Sequence, residues 1–143
     1  TALEHLVLAH GEIWTDEVIY RTGMTNPDTA QAMKEAGLTG RDEIVADSAE
    51  PKSIADLRDM GIAARACYKA PGCVEYRIKW MQHRKIVIDP RRTPNAHREF
   101  TRYSYAVDRS GNVLSQLVDA DNHSIDATAY ALSQVIFSRA SVA

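Results

Sequence analysis

The sequence contains little cysteine and no long apolar segment, and both absences narrow the classes of protein to consider. Its two cysteines, Cys67 and Cys73, form no CxxC pair and have no cysteine or histidine companions at zinc-binding spacing. We expect them to be reduced thiols in an intracellular protein. No apolar run approaches the roughly 20 residues of a membrane helix, and no segment resembles a signal peptide. These features predict a soluble protein without a membrane partner.

Several motifs of nucleotide-binding proteins and hydrolases are also missing. The chain has no GxxxxGK[ST], GxGxxG or GxSxG sequence, so it contains no Walker-type nucleotide site and no recognisable dinucleotide or nucleophile-elbow motif. Four of the five histidines lie far apart and without ligand-like spacing, and we interpret them as structural or surface residues: His5, His10, His83 and His97.

Length and composition indicate one globular domain spanning residues 1–143. The 143 residues are 45% hydrophobic and 25% charged, as in an ordinary globular protein. A chain of this size can bury roughly 68–70% of its unfolded surface, which is enough for a core without disulfides or metals. We find no internal repeat, low-complexity segment or linker.

Positive charge is concentrated in the middle of the chain. Residues 65–102 carry ten Lys or Arg against three acids, a net charge of +7, whereas the remaining seven basic and sixteen acidic residues give −9. A basic stretch inside an acidic chain indicates a polyanionic partner that is met by one surface. Solvated helix faces would explain the same charges without a partner.

Hydrophobic periodicity predicts an α/β domain in which strands alternate with helices after an opening hairpin. Turn and capping residues divide these elements. We expect strands within 3–9, 12–20, 44–46, 63–69 and 85–89, a hairpin within 103–118, and helices at 26–35, 53–61, 73–84, 94–103 and from 122 onward. The last helix has an apolar stripe that predicts its buried face, namely Ile125, Ala129, Leu132 and Ile136.

Asp47 is the first candidate for a functional carboxylate. It follows the apolar residues 44–46, and α/β sheets place their sites where strands end. The alternative is that Asp47 or Ser48 only caps a turn, and position by itself does not separate the two interpretations.

The segment DADNHSIDATAYAL, residues 119–132, is the second candidate, because three acids and a histidine crowd the start of an apolar helix. His123 and Asp126 are three residues apart and share one side of the helix, so both can reach one point in space. The alternative is that Asp121 or Asn122 caps the helix and the acids interact with its dipole. That alternative leaves unexplained why the histidine lies on the same side as Asp126.

Asp47, Asp126 and His123 together would make a hard, oxygen-rich site that suits Mg²⁺ or Mn²⁺. Carboxylates that hold two such ions about 3.5–4 Å apart serve phosphodiester hydrolysis, because one ion lowers the pKa of the attacking water and the other stabilises the leaving oxygen. The basic segment would then neutralise DNA phosphates near the cut. A nuclease of this kind needs no aromatic platform, and we expect the Tyr and Trp residues to belong to the core.

Four segments of the chain resemble the C-terminal nuclease domain of tailed-bacteriophage terminase large subunits, in the branch found in Bacillus phages and many prophages. They follow one another in order as ADSAEPKSIADLRDMG (46–61), GCVEYRIKWMQ (72–82), IDPRRTPNAHREFTRYSY (88–105) and DADNHSIDATAYAL (119–132). The resemblance implies a ribonuclease H-like fold, a mixed β-sheet flanked by helices. It also implies an endonuclease that cuts concatemeric viral double-stranded DNA during genome packaging with two Mn²⁺ or Mg²⁺ ions.

The resemblance assigns roles to individual residues. Asp47 matches the family's second metal carboxylate, in ADSAEPK, and Asp126 matches its last carboxylate. His123 matches the histidine of the NHxIDA motif. Glu50 and Lys52 fall inside the first motif, where they would support the site or contact DNA without a catalytic role.

The family's first metal-binding aspartate has no match. It lies on an opening strand that the resemblance places upstream of residue 1, and Glu4 and His5 do not fit its pattern. The family's N-terminal ATPase domain also has no counterpart in these residues. As partners, the resemblance implies double-stranded DNA, the phage portal, the small terminase subunit and the ATPase domain, and as location the cytoplasm of a bacterial host.

Two other functions fit part of the pattern. A non-cleaving DNA-binding or docking module of the packaging motor would keep the basic surface, and Asp47-dependent metal binding distinguishes it from a nuclease. A recombinase or resolvase of the same kind of fold would share the acids but not the EPKS and NHSIDA motifs.

Overall fold

Every predicted strand and helix is present in the computed structural model, which describes the backbone of residues 1–140 and the side chains of residues 1–138 except residue 116. In chain order the elements are β1 (Ala2–Ala9), β2 (Glu12–Tyr20), α1 (Asn26–Glu35), β3 (Ile44–Ala46), α2 (Pro51–Asp59), β4 (Ala64–Ala66), α3 (Cys73–Gln82), β5 (Ile86–Ile88), α4 (Pro94–Arg102), β6 (Tyr105–Val107), β7 (Val113–Leu117) and α5 (His123–Ala140).

The strands pair in both directions, as a mixed sheet requires. β1 and β2 form an antiparallel hairpin whose turn residues, His10 and Gly11, both have positive φ angles of 52° and 76°, the conformation that matches the twist of a two-residue hairpin. β5 joins β2 in parallel, β3 and β4 are parallel, and β6 and β7 are antiparallel. Within the described residues no hydrogen-bond ladder joins β1 to β3, so the strands form three separate sheets.

Two apolar clusters make up the core. The first joins β2, α1, α2, β3 and β4 through residues that include Ile19, Met33 and Leu57. The second joins β2 and α3 to α5, and it contains the whole predicted stripe of α5, which is at most 4% exposed: Ile125, Ala129, Leu132 and Ile136. Because α5 also packs against β1 and β3, this helix holds the separate sheets together.

A groove of about 620 Å³ lies between the two sheets that α5 connects. Its walls include Leu6 of β1, Ile44 of β3 and Ala131 of α5. The edges of β1 and β3 that face this groove have no strand partner among residues 1–140. The fold therefore has space for additional chain between these edges.

The prediction that the aromatic residues belong to the core is wrong for four of them. Trp14 follows the buried Ile13 on β2 and precedes the buried Thr15, so strand alternation turns its side chain outward. Tyr68 packs against Phe137, with ring centroids 4.9 Å apart. The four residues are between 38% and 53% exposed: Trp14, Tyr68, Tyr76 and Tyr105.

Cys67 and Cys73 are both buried and form no disulfide, as the sequence predicts. Cys67 follows β4, and its backbone N–H donates to the Ala46 carbonyl at 2.8 Å, while Cys73 is the first residue of α3. In the part of the chain that the structure describes, no helix has both the length and the apolar character needed to cross a membrane.

Candidate functional site

Asp47 lies directly after β3, at the strand end where the sequence predicts it. Its Oδ1 accepts a hydrogen bond from the Ala49 backbone N–H at 3.0 Å, so the turn-capping interpretation is correct as far as it goes. The same Oδ1 also lies 2.5 Å from Nζ of Lys69, which follows β4. Capping therefore uses only part of the acceptor capacity of this carboxylate.

His123 and Asp126 occupy the first turn of α5, on the side that the sequence predicts. The Asp126 backbone N–H donates to the Asn122 carbonyl at 2.8 Å, which begins the helix. The His123 ring is exposed and lies 6.2 Å from the Tyr20 ring. The Asp126 carboxylate is half-buried and accepts no hydrogen bond from the described residues.

The start of α5 is capped by a residue that the sequence analysis missed. Glu99 of α4 is 1% exposed, and its Oε2 accepts from the backbone N–H groups of Ser124 at 2.6 Å and Ile125 at 3.3 Å. Its Oε1 accepts from the Tyr20 hydroxyl at 2.6 Å. Glu99 thus supplies the cap that the alternative interpretation had assigned to Asp121 or Asn122. The available signal was a glutamate on the buried side of α4, three residues after the fully buried Ala96.

Asp126 interacts electrostatically with the other predicted site residues, Asp47 and His123. Burial is the largest cause that raises its pKa to about 6, and the negative charge of Asp119 and that of Asp47 act in the same direction. The positive charge of Arg77 and the His123 imidazole oppose this rise. A half-buried carboxylate beside other acids is a common feature of functional sites.

The pKa of Asp47 is shifted in the opposite direction from that of Asp126, because Asp47 has a cation at hydrogen-bond distance. Partial burial raises its pKa, but the hydrogen bonds from Lys69 and Ala49 and the charges of Lys69 and Arg77 outweigh burial, so the pKa lies below its ordinary value. The two predicted metal carboxylates are therefore in unlike environments. Asp47 is paired with a cation, whereas Asp126 has no hydrogen-bond donor within the described part of the chain.

Tyr130 and Arg77 lie next to this pair of acids. Burial, followed by the charges of Asp126 and Asp47, raises the pKa of Tyr130 above its ordinary value. The Arg77 guanidinium lies 5.1 Å from the centre of the Tyr130 ring and is 2% exposed. Its Nε and Nη1 atoms have no hydrogen-bond partner among the described residues. An arginine on the buried side of α3 was a sequence signal that the periodicity argument passed over.

The donor types at this site fit a hard divalent cation, but the described residues do not provide a complete coordination set. Two carboxylates and an imidazole are ligands that Mg²⁺ and Mn²⁺ accept, and Asp126 has free acceptor capacity. However, no three His, Cys, Asp or Glu side chains among residues 1–140 converge closely enough to hold a metal ion. Asp47, Asp126 and His123 are neighbours rather than a finished metal centre.

Comparison with known proteins relates the chain to the large subunits of phage terminases. The family model described as "Terminase RNAseH like domain" matches residues 1–134. The terminase large subunit of Bacillus phage SPP1 is 45% identical over 94 residues, 64% of this chain and 22% of that protein. The PBSX phage terminase large subunit of Bacillus subtilis strain 168 is 33% identical over 114 residues, 79% of this chain and 26% of that protein. The chain thus spans about a quarter of the length of these relatives.

A solved structure extends the similarity to the fold. It is the crystal structure of the large terminase nuclease domain from bacteriophage SPP1 with bound Mn, and it matches with a TM-score of 0.81 and 35% sequence identity. The match covers 92% of this chain and 76% of the solved one. The ribonuclease H-like architecture that the sequence predicts is thereby confirmed.

Proposed function

Because the chain belongs to the terminase RNase H-like domain family, we propose that it is a metal-dependent endonuclease that cleaves concatemeric viral double-stranded DNA during genome packaging. Its fold is that of a terminase large subunit nuclease domain. The observation that carries the proposal is the half-buried Asp126 carboxylate, which has acids as neighbours and accepts no hydrogen bond from the side chains and backbone that the structure describes. A bound dication removes that repulsion, because it favours the ionised form of every carboxylate around it.

In this proposal Asp47 and Asp126 are the metal-binding carboxylates, and His123 is a ligand or orients one. When bound by these residues, the ions would supply an activated water and would stabilise the charge that develops on the leaving oxygen. Mn²⁺ is supported by the Mn-bound relative, and the hard oxygen donors suit Mg²⁺ equally well. The buried Arg77 and the half-buried Tyr130 would form one wall of the site, beside the acids.

A further carboxylate would complete the coordination set, and we propose that it belongs to an additional strand, as the family pattern implies. The groove between β1 and β3 supports this placement, since both strand edges facing it have no partner among residues 1–140. A strand inserted there would run past α5, which carries Asp126.

DNA would be held mainly through its phosphates. Arg98 and Arg102 of α4 are exposed and form no ion pair within 4.0 Å among the described residues. They line a surface depression with Asp121, which lies just before α5. Contacts of this kind bind without reading base edges, so cutting should be largely independent of sequence.

The proposed packaging role implies further partners and a location in the cell. The portal, the small terminase subunit and an N-terminal ATPase domain would be protein partners, and the cytoplasm of the bacterial host would be the location.

A non-cleaving docking module is the second candidate function. It is favoured by the absence of a converged group of three ligand side chains in residues 1–140.

Binding of Mn²⁺ to the wild-type chain tests the proposal. At about 100 times its Kd, Mn²⁺ should stabilise the fold by about 2.7 kcal/mol and raise the melting temperature by roughly 5–10 °C. Asp47→Asn should abolish this rise, because the substitution removes one metal carboxylate. Differential scanning fluorimetry measures the shift, and nicking of supercoiled plasmid by a protein that also contains the additional strand measures cleavage.

Asp59→Asn is the matched control, because Asp59 is an exposed aspartate at the end of α2. It should keep the full rise in melting temperature. Equal rises in wild type and Asp47→Asn would exclude Asp47 as a ligand and favour the docking module.

A further inference from the structure

Lys69 is the closest partner of a carboxylate that we assign to metal binding. Its Nζ lies 2.5 Å from Oδ1 of Asp47, and both side chains are 41% exposed. The two residues come from the ends of neighbouring parallel strands, since Asp47 follows β3 and Lys69 follows β4. The ammonium also lies 6.0 Å from the centre of the Tyr130 ring. It therefore lies inside the site rather than on a remote surface.

The two cations beside the acids differ in their freedom to move. Arg77 is 2% exposed and held within the packed face of α3, so its charge is a permanent part of the site. Lys69 is on the surface, at the end of a flexible four-carbon side chain that bears a strongly hydrated point charge. Only Lys69 can leave the acids without a rearrangement of the core.

We propose that Lys69 and a divalent cation exchange at the Asp47 carboxylate, and that the released ammonium then contacts a phosphate of the bound DNA. This inference rests on the proposed function, because it assumes that Asp47 is a metal ligand. It adds a residue to that function and couples two events: loading of the metal makes one more phosphate contact available. Lys69 is a DNA-contacting residue in this scheme, not a catalytic one.

The exchange is physically easy in this geometry. An ion pair between two half-exposed side chains contributes little to stability, so breaking it does not threaten the fold. A dication that Asp47 and Asp126 share interacts with two carboxylates, whereas the ammonium pairs with one. After release, Lys69 remains beside the site, where a phosphodiester bound to the metal would lie within reach of its side chain.

Metal affinity provides the first test. In isothermal titration calorimetry with Mn²⁺, Lys69→Met should bind up to about tenfold more tightly than wild type, since it removes the competing charge; tenfold corresponds to about 1.4 kcal/mol. Lys69→Arg should bind Mn²⁺ more weakly than wild type, because a guanidinium holds a carboxylate through two hydrogen bonds. Lys85→Met is the matched control, since it breaks an exposed lysine–carboxylate pair, Lys85 with Glu12 at 3.2 Å, outside the site.

DNA affinity provides the second test, because loss of any positive charge near the acids would also tighten metal binding. Fluorescence anisotropy with a phosphorothioate duplex, which resists cleavage, measures binding in Mn²⁺ and in EDTA. Lys69→Met should weaken binding only in Mn²⁺ and should lower the salt dependence there by about one phosphate contact. In EDTA the variant and wild type should bind equally, since Lys69 is engaged by Asp47.

Two results would overturn the exchange. One is an Mn²⁺ affinity of Lys69→Met equal to that of wild type, and the other is an equal loss of DNA affinity in Mn²⁺ and in EDTA. If either result is found while Asp47→Asn still abolishes Mn²⁺ binding, only the proposed exchange is wrong and Asp47 remains a metal ligand. Wild-type Mn²⁺ binding that survives Asp47→Asn overturns the proposed function as well.

Discussion

At the scale of single residues, Asp126 destabilises the fold that contains it. Burial and the neighbouring Asp119 raise the pKa of Asp126 to about 6, so folding favours its protonated form. The protonated Asp126 therefore favours folding, and this contribution to the free energy of unfolding is fully present below the ordinary pKa of the group, near 4. The contribution is lost as the pH rises to about 6, because the ionised form is disfavoured in the folded chain. At neutral pH the ionised carboxylate lowers the free energy of unfolding, a cost that is common for functional groups.

Asp126→Asn should therefore stabilise the chain at pH 8 and have little effect at pH 4. The raised pKa corresponds to about 3 kcal/mol at full strength, and the partial exposure of the group reduces the expected gain to about 1 kcal/mol. Urea denaturation in EDTA at the two pH values measures the difference. Asp28→Asn is a control of opposite sign, since hydrogen bonds from Thr25 lower the pKa of Asp28. A destabilised Asp126→Asn variant at pH 8 would contradict this account.

At the scale of secondary structure, the position of α5 decides whether the site forms. The helix begins at His123, and its first free N–H groups donate to Glu99, a residue of α4. The same carboxylate accepts from Tyr20 at the end of β2. Three elements therefore meet at one buried acid, and this contact sets where His123 and Asp126 lie.

Glu99→Ala should destabilise the chain by about 3 kcal/mol, because it removes a charged acceptor from two backbone N–H groups and a hydroxyl. Tyr20→Phe should cost about 1 kcal/mol, since one oxygen of Glu99 then loses its partner. Chemical denaturation measures both values. Glu35→Ala, at an exposed glutamate that ends α1, should stay within about 0.5 kcal/mol of wild type.

Mn²⁺ affinity measures whether Glu99 also positions the candidate metal ligands, in addition to stabilising the fold. Tyr20→Phe leaves the helix cap intact, so it should keep the Mn²⁺ affinity of wild type, whereas Glu99→Ala should lower it. Equal Mn²⁺ affinities in the two variants would show that the cap stabilises the fold without placing the ligands.

At the scale of the whole molecule, the charge is separated along the chain. The net charge of −2 comes from a +7 segment, residues 65–102, and a −9 remainder. That segment contains Lys69 and Arg77 beside the acids, and Arg98 and Arg102 beside the start of α5. Positive charge therefore lies beside the carboxylates of the candidate site, as the proposed binding of DNA phosphates near metal ions requires.

DNA binding should weaken steeply as salt concentration rises, because each neutralised phosphate releases counterions. Replacing Arg98 and Arg102 with Gln should lower the slope of log affinity against log salt by about two, and should weaken binding to unrelated sequences equally. Anisotropy titrations over a range of NaCl concentrations measure the slope. The control replaces Arg21 and Arg41, two exposed arginines outside the basic segment, and should leave the slope unchanged; a flat response in wild type would exclude phosphate-dominated binding.

Local patterns in the sequence were sufficient to predict the elements. The spacing of Ile125, Ala129, Leu132 and Ile136 predicts the buried side of α5, and all four are buried. The proline at position 27 and the glycine at position 37 predict a helix that the structure places at Asn26–Glu35. Such signals act over a few residues, where backbone conformation and side-chain period are set by neighbours in the chain. Exposure of Trp14 was mispredicted because hydrophobicity by itself does not say which side of a strand a residue occupies.

The sequence by itself determined the order of the elements, the basic segment and the choice of Asp47, Asp126 and His123 as candidates. Only the tertiary structure decided which distant residues act on them. Glu99 caps a helix that begins 24 residues later in the chain, and Lys69 pairs with an aspartate that follows the neighbouring strand. Contacts of this kind follow from chain topology, since folding brings together residues whose separation along the sequence carries no periodic signal.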